Sequence, residues 1–290
     1  MRILNHTELI LTPEGCVYHL NLRPEHLADT IILVGDPDRV PMISAFFDEV
    51  EYKRQNREIV THTGYFNNMR FTVISSGMGP DNIDIVLNEI DALANIDLDT
   101  RKAKSLIKSL NIIRLGTSGA IQEDMEVDRY VISDYALGMD GLMHFYEGTH
   151  AIIDKDLTRK FLDHFKPSPQ LPTPYIIPGS SELSSRFSNE WYKGITVTAP
   201  GFYGPQGRSL RLELAMPDLI KKLNTFRAGN LRLLTFEMVS SAIYGLSRLM
   251  GHECLTICPV VASRVSDEYS KNYKVVMDNL IYEVLVKLSE

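Results

Sequence analysis

The chain has 290 residues and a formal charge of −7, so it can bury a large core, and its acidic balance argues against a broad nucleic-acid-binding surface. Its 44% apolar and 23% charged residues are typical of a globular protein and still allow a local basic pocket for a small anion. The N-terminal residues are not those of a signal peptide, and no apolar stretch reaches transmembrane length, so we expect a cytoplasmic protein with no membrane partner.

Short apolar runs that lead into glycine turns recur along the chain, and we predict that each run is a buried strand. The runs are Thr30–Val34, residues 71–74, Asn111–Leu115 and residues 196–199. The turns that follow them contain Gly35, Gly77, Gly116 and Gly201.

Helical patterns lie between these runs. Pro80 begins one helix, and its apolar stripe is formed by Ile83, Val86, Leu87, Ile90 and Leu93. We predict a second helix over residues 233–250, with Met238 on its apolar face and Gly251 just past its end. Alternating strands and helices predict a central sheet covered on both faces, with ligands bound at the carboxyl ends of the strands.

Two further segments bear on how the chain is organised. Residues 166–174 contain four prolines, and we interpret them as a surface loop rather than a linker, because glycine-ended strands continue on both sides. We therefore predict a single domain over residues 1–290. Residues 97–109 contain Arg101 and three lysines, and we predict that they form a solvated helix.

The cysteines are Cys16, Cys254 and Cys258, an odd and sparse set that does not make a disulfide framework. The spacing of Cys254 and Cys258 is compatible with metal binding, but no histidine or second cysteine pair completes such a site. Both lie in an apolar run, so we interpret them as buried thiols.

The first motif that can carry chemistry is Gly-Asp-Pro-Asp-Arg, from Gly35 to Arg39, directly after a predicted strand. Its glycine lets the backbone approach a ligand, the turn N–H groups can bind an anion, and Arg39 adds donors suited to phosphate. Taken alone, the motif is better explained as an ordinary Asp-Pro turn with a surface arginine.

The second motif places Arg114 inside an apolar strand, ahead of Gly116, Thr117 and Gly119. Burying an arginine is costly unless it meets an anion. Arg114, the Thr117 hydroxyl and the glycine N–H groups can converge on one anion. A structural salt bridge beneath a tight turn explains the pattern equally well.

The third motif, Phe-Tyr-Gly-Pro-Gln-Gly-Arg, spans residues 202–208. A glutamine amide offers an acceptor and donors, and an arginine offers donors only, so Gln206 and Arg208 together match the edge of a uracil. Phe202 can stack on the base. Glu237 lies in a mostly apolar stretch and therefore needs a partner, whereas Arg57 and Glu58 on their own indicate only the start of a strand.

These clusters, in this order, resemble the nucleoside phosphorylase family, which includes uridine phosphorylases and purine nucleoside phosphorylases. The resemblance runs from Tyr18 to Arg264, and residues 139–145 and 202–208 are similar to the uridine branch in particular. It implies an α/β/α fold of three layers around a central mixed, partly barrel-like sheet. It also implies a pentosyltransferase that converts uridine and phosphate to uracil and ribose 1-phosphate, with no cofactor.

The resemblance assigns a role to each site residue. Phosphate would be bound by Gly35, Arg39, Arg114 and Thr117, with Arg57 reaching it from a neighbouring subunit. Ribose would be bound by Glu237 and Met238, with His19 from the neighbour, and the base by Gly119, Phe202, Gln206, Arg208 and Arg264. The catalytic set would be Arg114, Gln206, Arg208 and Glu237.

Because the resemblance places His19 and Arg57 of one subunit in the site of its neighbour, it implies a homodimer as the smallest active unit. Whether three dimers assemble into a hexamer is left open. No metal is required, although a monovalent cation near Glu58 is compatible with the family. Added length at residues 91–113 is a departure from the family that can alter subunit packing.

A second departure concerns ribose. Val239 stands where the family usually has a second glutamate that grips the ribose hydroxyls, a contact worth about 1.5–3 kcal/mol. This leaves open a preference for deoxyribose, a rebuilt pocket, or a weakly active or non-catalytic nucleoside-binding homologue. A purine nucleoside phosphorylase is a further alternative, but Ser263 occupies the position of its aspartate, and Asp267 lies four residues later.

Overall fold

The structure, a computed structural model, describes residues 2–187 and 189–290. It is a mixed α/β fold whose central sheet forms a partial barrel, as predicted. Its strands are β1 (Thr30–Val34), β2 (Glu49–Asn56), β3 (Ile59–Phe66), β4 (Met69–Ser75), β5 (Ile96–Asp97), β6 (Lys102–Ala103), β7 (Asn111–Leu115), β8 (Ser118–Ala120), β9 (Tyr130–Gly138), β10 (Tyr175–Pro178), β11 (Tyr192–Thr198), β12 (Arg227–Ala228), β13 (Leu231–Glu237) and β14 (Glu253–Ser263). Its α-helices are α1 (Arg39–Ser44), α2 (Pro80–Asn95), α3 (Lys155–Phe165), α4 (Ser181–Ser185), α5 (Leu219–Asn224), α6 (Ser240–Met250) and α7 (Tyr273–Ser289).

The main sheet runs in the order β10-β9-β11-β13-β8-β14-β7-β1-β4-β3-β2. Its centre is parallel, because β1 pairs in parallel with both β4 and β7, and β7 pairs in parallel with β14. β9 pairs with β14 as well as with β11, which closes β9, β11, β13, β8 and β14 into a barrel. The antiparallel strands β2 and β3 form the far edge.

The central strand β1 explains how the core is divided. Every residue of β1 is buried, as expected for a parallel strand with both faces covered. Ile31 and Leu33 join the apolar cluster that contains α2 and α6, whereas Ile32 and Val34 join the cluster that contains α7. This alternation follows from the two-residue period of a strand, and it confirms the prediction that helices cover both faces.

Several predicted elements are confirmed. Thr30–Val34 and Asn111–Leu115 are β1 and β7, residues 71–74 lie within β4, and residues 196–198 are the end of β11. The helix that begins at Pro80 is α2, and its predicted apolar stripe is buried. Residues 166–174 form a mostly exposed loop between α3 and β10.

One predicted helix is right only in its second half, and another is wrong. Residues 231–237 form β13, which lies between β11 and β8 in the barrel, and the helix begins only at Ser240. A continuous buried apolar run has no period that distinguishes a strand from a helix, so the sequence pattern does not reveal this strand. Gly251 ends that helix in a left-handed conformation (φ 81°), as predicted. Residues 97–109 form no helix: the hairpin of β5 and β6 occupies residues 96–103, and its turn holds Arg101 at a φ of 57°.

The described residues also bear on membrane association. None of the helices in residues 2–187 and 189–290 combines the length and the apolar character that a membrane crossing requires.

Tyr244 of α6 ties this helix to the barrel. Its buried hydroxyl donates to the Ser133 carbonyl of β9 at 2.5 Å and accepts from the Thr256 N–H of β14 at 2.8 Å. One side chain therefore satisfies buried backbone groups on two strands, and removing the hydroxyl would leave both groups unpaired.

We expect Tyr244→Phe to lower the free energy of unfolding by about 1–3 kcal/mol, because it leaves the buried Ser133 carbonyl and Thr256 N–H without the hydroxyl as a hydrogen-bond partner. Urea unfolding followed by circular dichroism measures the change. Tyr282→Phe is the matched control, because Tyr282 is 54% exposed and should shift stability little. Equal stability of the two variants would contradict the assigned role.

Candidate active site at the carboxyl ends of the central strands

Neighbouring parallel strands bring the first two sequence motifs together. The turns after β1 and β7 lie at the same edge of the sheet, and Arg39 Nη1 donates to the Leu115 carbonyl at 3.2 Å. Arg39 is only 8% exposed, so the interpretation of a surface arginine is wrong. Burial, and then the nearby charge of Arg114, lower the pKa of Arg39.

Arg114 is held on several sides. Its Nη1 donates to Cys258 Sγ at 3.3 Å, and its Nη2 lies 3.5 Å from Glu237 Oε2. The guanidinium also covers Gly116, where an added Cβ would lie 1.4 Å from Nη1. The salt bridge that the sequence left open is therefore present. Among the described residues, Arg39 forms no ion pair with Glu237, so one carboxylate stands against two buried guanidinium groups and the cluster keeps an excess of positive charge.

Glu237 ends β13 and does not lie within a helix, contrary to the sequence-based expectation. Its carboxylate accepts the Thr198 hydroxyl at 2.5 Å and the N–H groups of Val239 and Ser240 at 2.8–3.0 Å. The carboxylate thus occupies the positive N-terminus of α6. Met238 is half-buried, and the Val239 side chain is buried in the apolar cluster beneath α6.

The residues that the family resemblance assigns to the base, called here the base-reading group, form one connected cluster. Arg208 Nη1 donates to Gln206 Oε1 at 2.6 Å and to the Phe202 carbonyl at 2.8 Å, and its guanidinium lies 3.9 Å from the centre of the Phe202 ring. Arg264 Nη1 donates to the Gln206 carbonyl at 3.0 Å. Burial, and then the charge of Arg264, lower the pKa of Arg208.

Strand β8 connects the two groups. It follows the Arg114 turn directly, and its Gly119 pairs with Phe236 of β13 and with Ala262 of β14. An added Cβ at Gly119 would lie 3.9 Å from the Arg264 side chain. Thr117 lies between Gly116 and the start of β8, and within residues 2–187 and 189–290 its hydroxyl has no protein hydrogen-bond partner.

The residues that the family resemblance assigns to a neighbour lie together elsewhere. His19, Arg57 and Glu58 line a small pocket of about 60 Å³ with Ser76. Arg57 occupies the turn between β2 and β3 at a φ of 52°. In the described part of the chain, no hydrogen bond or ion pair joins His19 or Arg57 to Arg114.

His19 is anchored by a residue that sequence reasoning missed. Glu89 of α2 accepts the N–H groups of His19 and Leu20, and its Oε1 lies 2.6 Å from His19 Nδ1. The available signal was a single glutamate beside the apolar stripe of α2. Cys258 was correctly predicted to be buried, but its contact with Arg114 depends on the pairing of β14 with β7, which the local pattern does not reveal.

Two other features complete the surroundings. An apolar cavity of about 270 Å³ lies behind the base-reading turn, between Met139, Phe165, Pro205 and Met216, and the arginines of the site do not line it. Among the described residues, no group of three or more His, Cys, Asp and Glu side chains is arranged to hold a metal ion.

A sequence model described as "Phosphorylase superfamily" matches residues 29–282. The chain belongs to this superfamily. It is 30% identical over 263 residues to the uridine phosphorylase of Thermococcus kodakarensis, covering 90% of this chain and 82% of the relative. It is 27% identical over 254 residues to a DeoD-type purine nucleoside phosphorylase of Yersinia enterocolitica, covering 86% of each chain.

Among superfamily members of known structure, a Trypanosoma brucei nucleoside phosphorylase, reported to show uridine phosphorylase activity, superposes with a TM-score of 0.87. It is 29% identical in sequence, and the match covers 97% of this chain and 99% of that one.

The Arg114 guanidinium packs so closely against Gly116 that a side chain at position 116 would displace it. We expect Gly116→Ala to raise the phosphate KM at least about tenfold, because the new Cβ displaces the guanidinium from its ion pair. Initial rates against phosphate concentration measure it.

Gly229→Ala is the control, because it introduces backbone strain at a φ of 62° in a turn where an added Cβ meets nothing within 4 Å. A similar rise in phosphate KM in both variants would mean that general loss of stability, rather than displacement of Arg114, is responsible.

Proposed function

We propose that the chain catalyses phosphorolysis of uridine to uracil and ribose 1-phosphate. The observation that carries this proposal is the connected group of Gln206, Arg208 and Arg264, joined through β8 to the buried pair Arg39 and Arg114. The relatives from Thermococcus and Trypanosoma, which are described by uridine phosphorylase activity, support the same reaction.

The phosphate half of the reaction rests on the arginine cluster. Phosphate would bind to Arg39, Arg114, the Thr117 hydroxyl and the Gly35 turn. The two arginines are buried positive charges, and they and the hydroxyl can all donate hydrogen bonds to an anion. One phosphate oxygen attacks C1′ as the bond from C1′ to the base breaks. Holding phosphate aligned beneath C1′ is the main contribution of this half.

The base half stabilises the leaving group. The electron pair of the broken bond passes to uracil N1 and spreads onto its two carbonyl oxygens, and the anion then takes a proton from solvent. Gln206 and Arg208 donate to the oxygens where this charge develops. Arg264 holds the Gln206 backbone, and Phe202 backs the Arg208 guanidinium, so the donors are already oriented.

The sugar lies between these halves, along Glu237 and Met238. Val239 is 1% exposed within an apolar cluster, so no carboxylate at this position grips the ribose hydroxyls. We therefore expect the site to tolerate 2′-deoxyuridine.

A partner copy would complete the site with His19 and Arg57, which makes a homodimer the smallest active unit and a hexamer of three dimers a further possibility. Residues 91–113 would influence this assembly, because Arg101 binds the Leu4 and Asn5 carbonyls and so holds the N-terminal segment ahead of His19. We place the reaction in a single domain in the cytoplasm, without an organic cofactor. A monovalent cation beside Glu58 would be structural.

The purine alternative has less support. Ser263 is 4% exposed, and its hydroxyl accepts the N–H of Ser266 at 3.1 Å. Asp267 is exposed at the tip of the loop that follows β14. Neither residue presents a carboxylate toward the base-reading group, and a purine site would leave the Gln206 and Arg208 pair without a role.

The substrate is tested by comparing phosphorolysis of uridine, 2′-deoxyuridine, thymidine and inosine at equal concentration. We expect uridine and 2′-deoxyuridine to be cleaved, with inosine slowest, and no turnover without phosphate. Fastest cleavage of inosine would establish the purine alternative, and full turnover in phosphate-free buffer would indicate a nucleosidase. Binding of uridine and phosphate without product would indicate a non-catalytic homologue.

Two arginine variants separate the halves of the site. We expect Arg208→Ala to raise the uridine KM and Arg114→Ala to raise the phosphate KM, each with a loss of about ten- to a hundredfold in kcat/KM. Arg159→Ala is the control, because Arg159 lies on the surface of α3 and, in the part of the chain that the structure describes, pairs with Asp156 alone. An unchanged phosphate KM in Arg114→Ala would overturn the phosphate assignment.

A further inference from the structure

We propose that Glu237 is a positioning residue that sets Arg114 for phosphate and does not grip the ribose. This inference rests on the proposed function, because it concerns how the same site discriminates its two substrates. It starts from the hydrogen-bond partners of the Glu237 carboxylate and from the charges that surround Arg114.

Three protein donors already occupy both oxygens of the carboxylate. Oε1 accepts the Thr198 hydroxyl at 2.5 Å and the Ser240 N–H at 2.9 Å, and Oε2 accepts the Val239 N–H at 2.8 Å and the Ser240 N–H at 3.0 Å. The Glu237 side chain is only 1% exposed. A ribose hydroxyl would have to displace one of these buried donors and leave it unpaired, which is unfavourable.

The same donors fix the direction of the carboxylate. The Thr198 hydroxyl also accepts the Ser241 N–H at 2.9 Å, so β11 and the first turn of α6 clamp Glu237 from two sides. Oε2 is thereby held toward Arg114 Nη2, while Cys258 Sγ takes Nη1. Each end of the guanidinium is tied to a different strand, which restricts its rotation.

Charge explains why this arrangement is needed. Arg39 and Arg114 are both buried and close enough for the charge of one to lower the pKa of the other. Within the described residues, Glu237 is the carboxylate that forms an ion pair with either of them. Before phosphate binds, its ion pair holds Arg114 in place against the repulsion of the buried Arg39 charge, while Arg39 is anchored on the Leu115 carbonyl.

Two readings of Glu237 predict opposite results for phosphate. If only its charge mattered, removing the charge would make the site more positive and strengthen phosphate binding. If it positions Arg114, removing the charge frees the guanidinium and weakens phosphate binding. A direct ribose contact would instead alter the discrimination between ribose and 2′-deoxyribose.

The test is Glu237→Gln in the full-length protein, with phosphate KM, nucleoside KM and kcat measured on uridine and 2′-deoxyuridine. We expect the phosphate KM to rise about tenfold or more, with the ratio of kcat/KM for the two nucleosides unchanged within about twofold. An unchanged or lower phosphate KM would overturn the proposal, as would a selective loss of uridine turnover.

A second pair of variants guards against misfolding. Thr198→Val removes the hydroxyl that holds Glu237 and should raise the phosphate KM in the same direction by a smaller factor. Thr196→Val is the matched control on the same strand, because its hydroxyl contacts Ser133 and Thr235 and does not reach Glu237. Equal phosphate KM values in these two variants would contradict the positioning role.

Binding of inorganic phosphate alone, measured by calorimetry on the wild type and Glu237→Gln, separates this inference from the proposed function. A wild type that binds phosphate but cleaves no uridine would refute the function, and weaker phosphate binding in Glu237→Gln would still support the positioning role. A wild type that binds no phosphate would overturn both.

Discussion

The burial of two like charges beside a single carboxylate is the constraint on which this site depends. Arg39 and Arg114 are both buried, and Glu237 forms an ion pair with Arg114 alone of the two. A folded protein that keeps an uncompensated buried charge gains most when an anion supplies the missing partner. The proposed phosphate site is thus formed by buried side chains that the packing of the sheet holds in place.

Sheet topology makes this packing possible. The parallel pairing of β1 with β7 sets the two arginine turns side by side, and β14 contributes Cys258 from the opposite neighbour of β7. Closure of the barrel through β8 then carries the base-reading group to the same edge. The two halves of the proposed reaction therefore share one rigid framework, which suits a reaction that depends mainly on alignment.

Glu237, at the end of β13, joins the fold to the proposed phosphate site. Its carboxylate caps the first turn of α6, receives the Thr198 hydroxyl, and faces Arg114. The departure at Val239 fits the same arrangement, because the valine packs into the apolar cluster under α6 while its N–H donates to Glu237. With valine at position 239, the hydrogen bonds and the ion pair of Glu237 are all present.

By itself the sequence determined the strands that end in glycine, the helix from Pro80, the acidic net charge and the residue types on which the proposed phosphate and uracil sites rest, because these depend on local periodicity and side-chain chemistry. It could not separate β13 from a helix, since a fully buried apolar run has no distinguishing period. Only the tertiary structure decided that Arg114 meets Glu237 and Cys258, because those contacts join strands far apart in the chain.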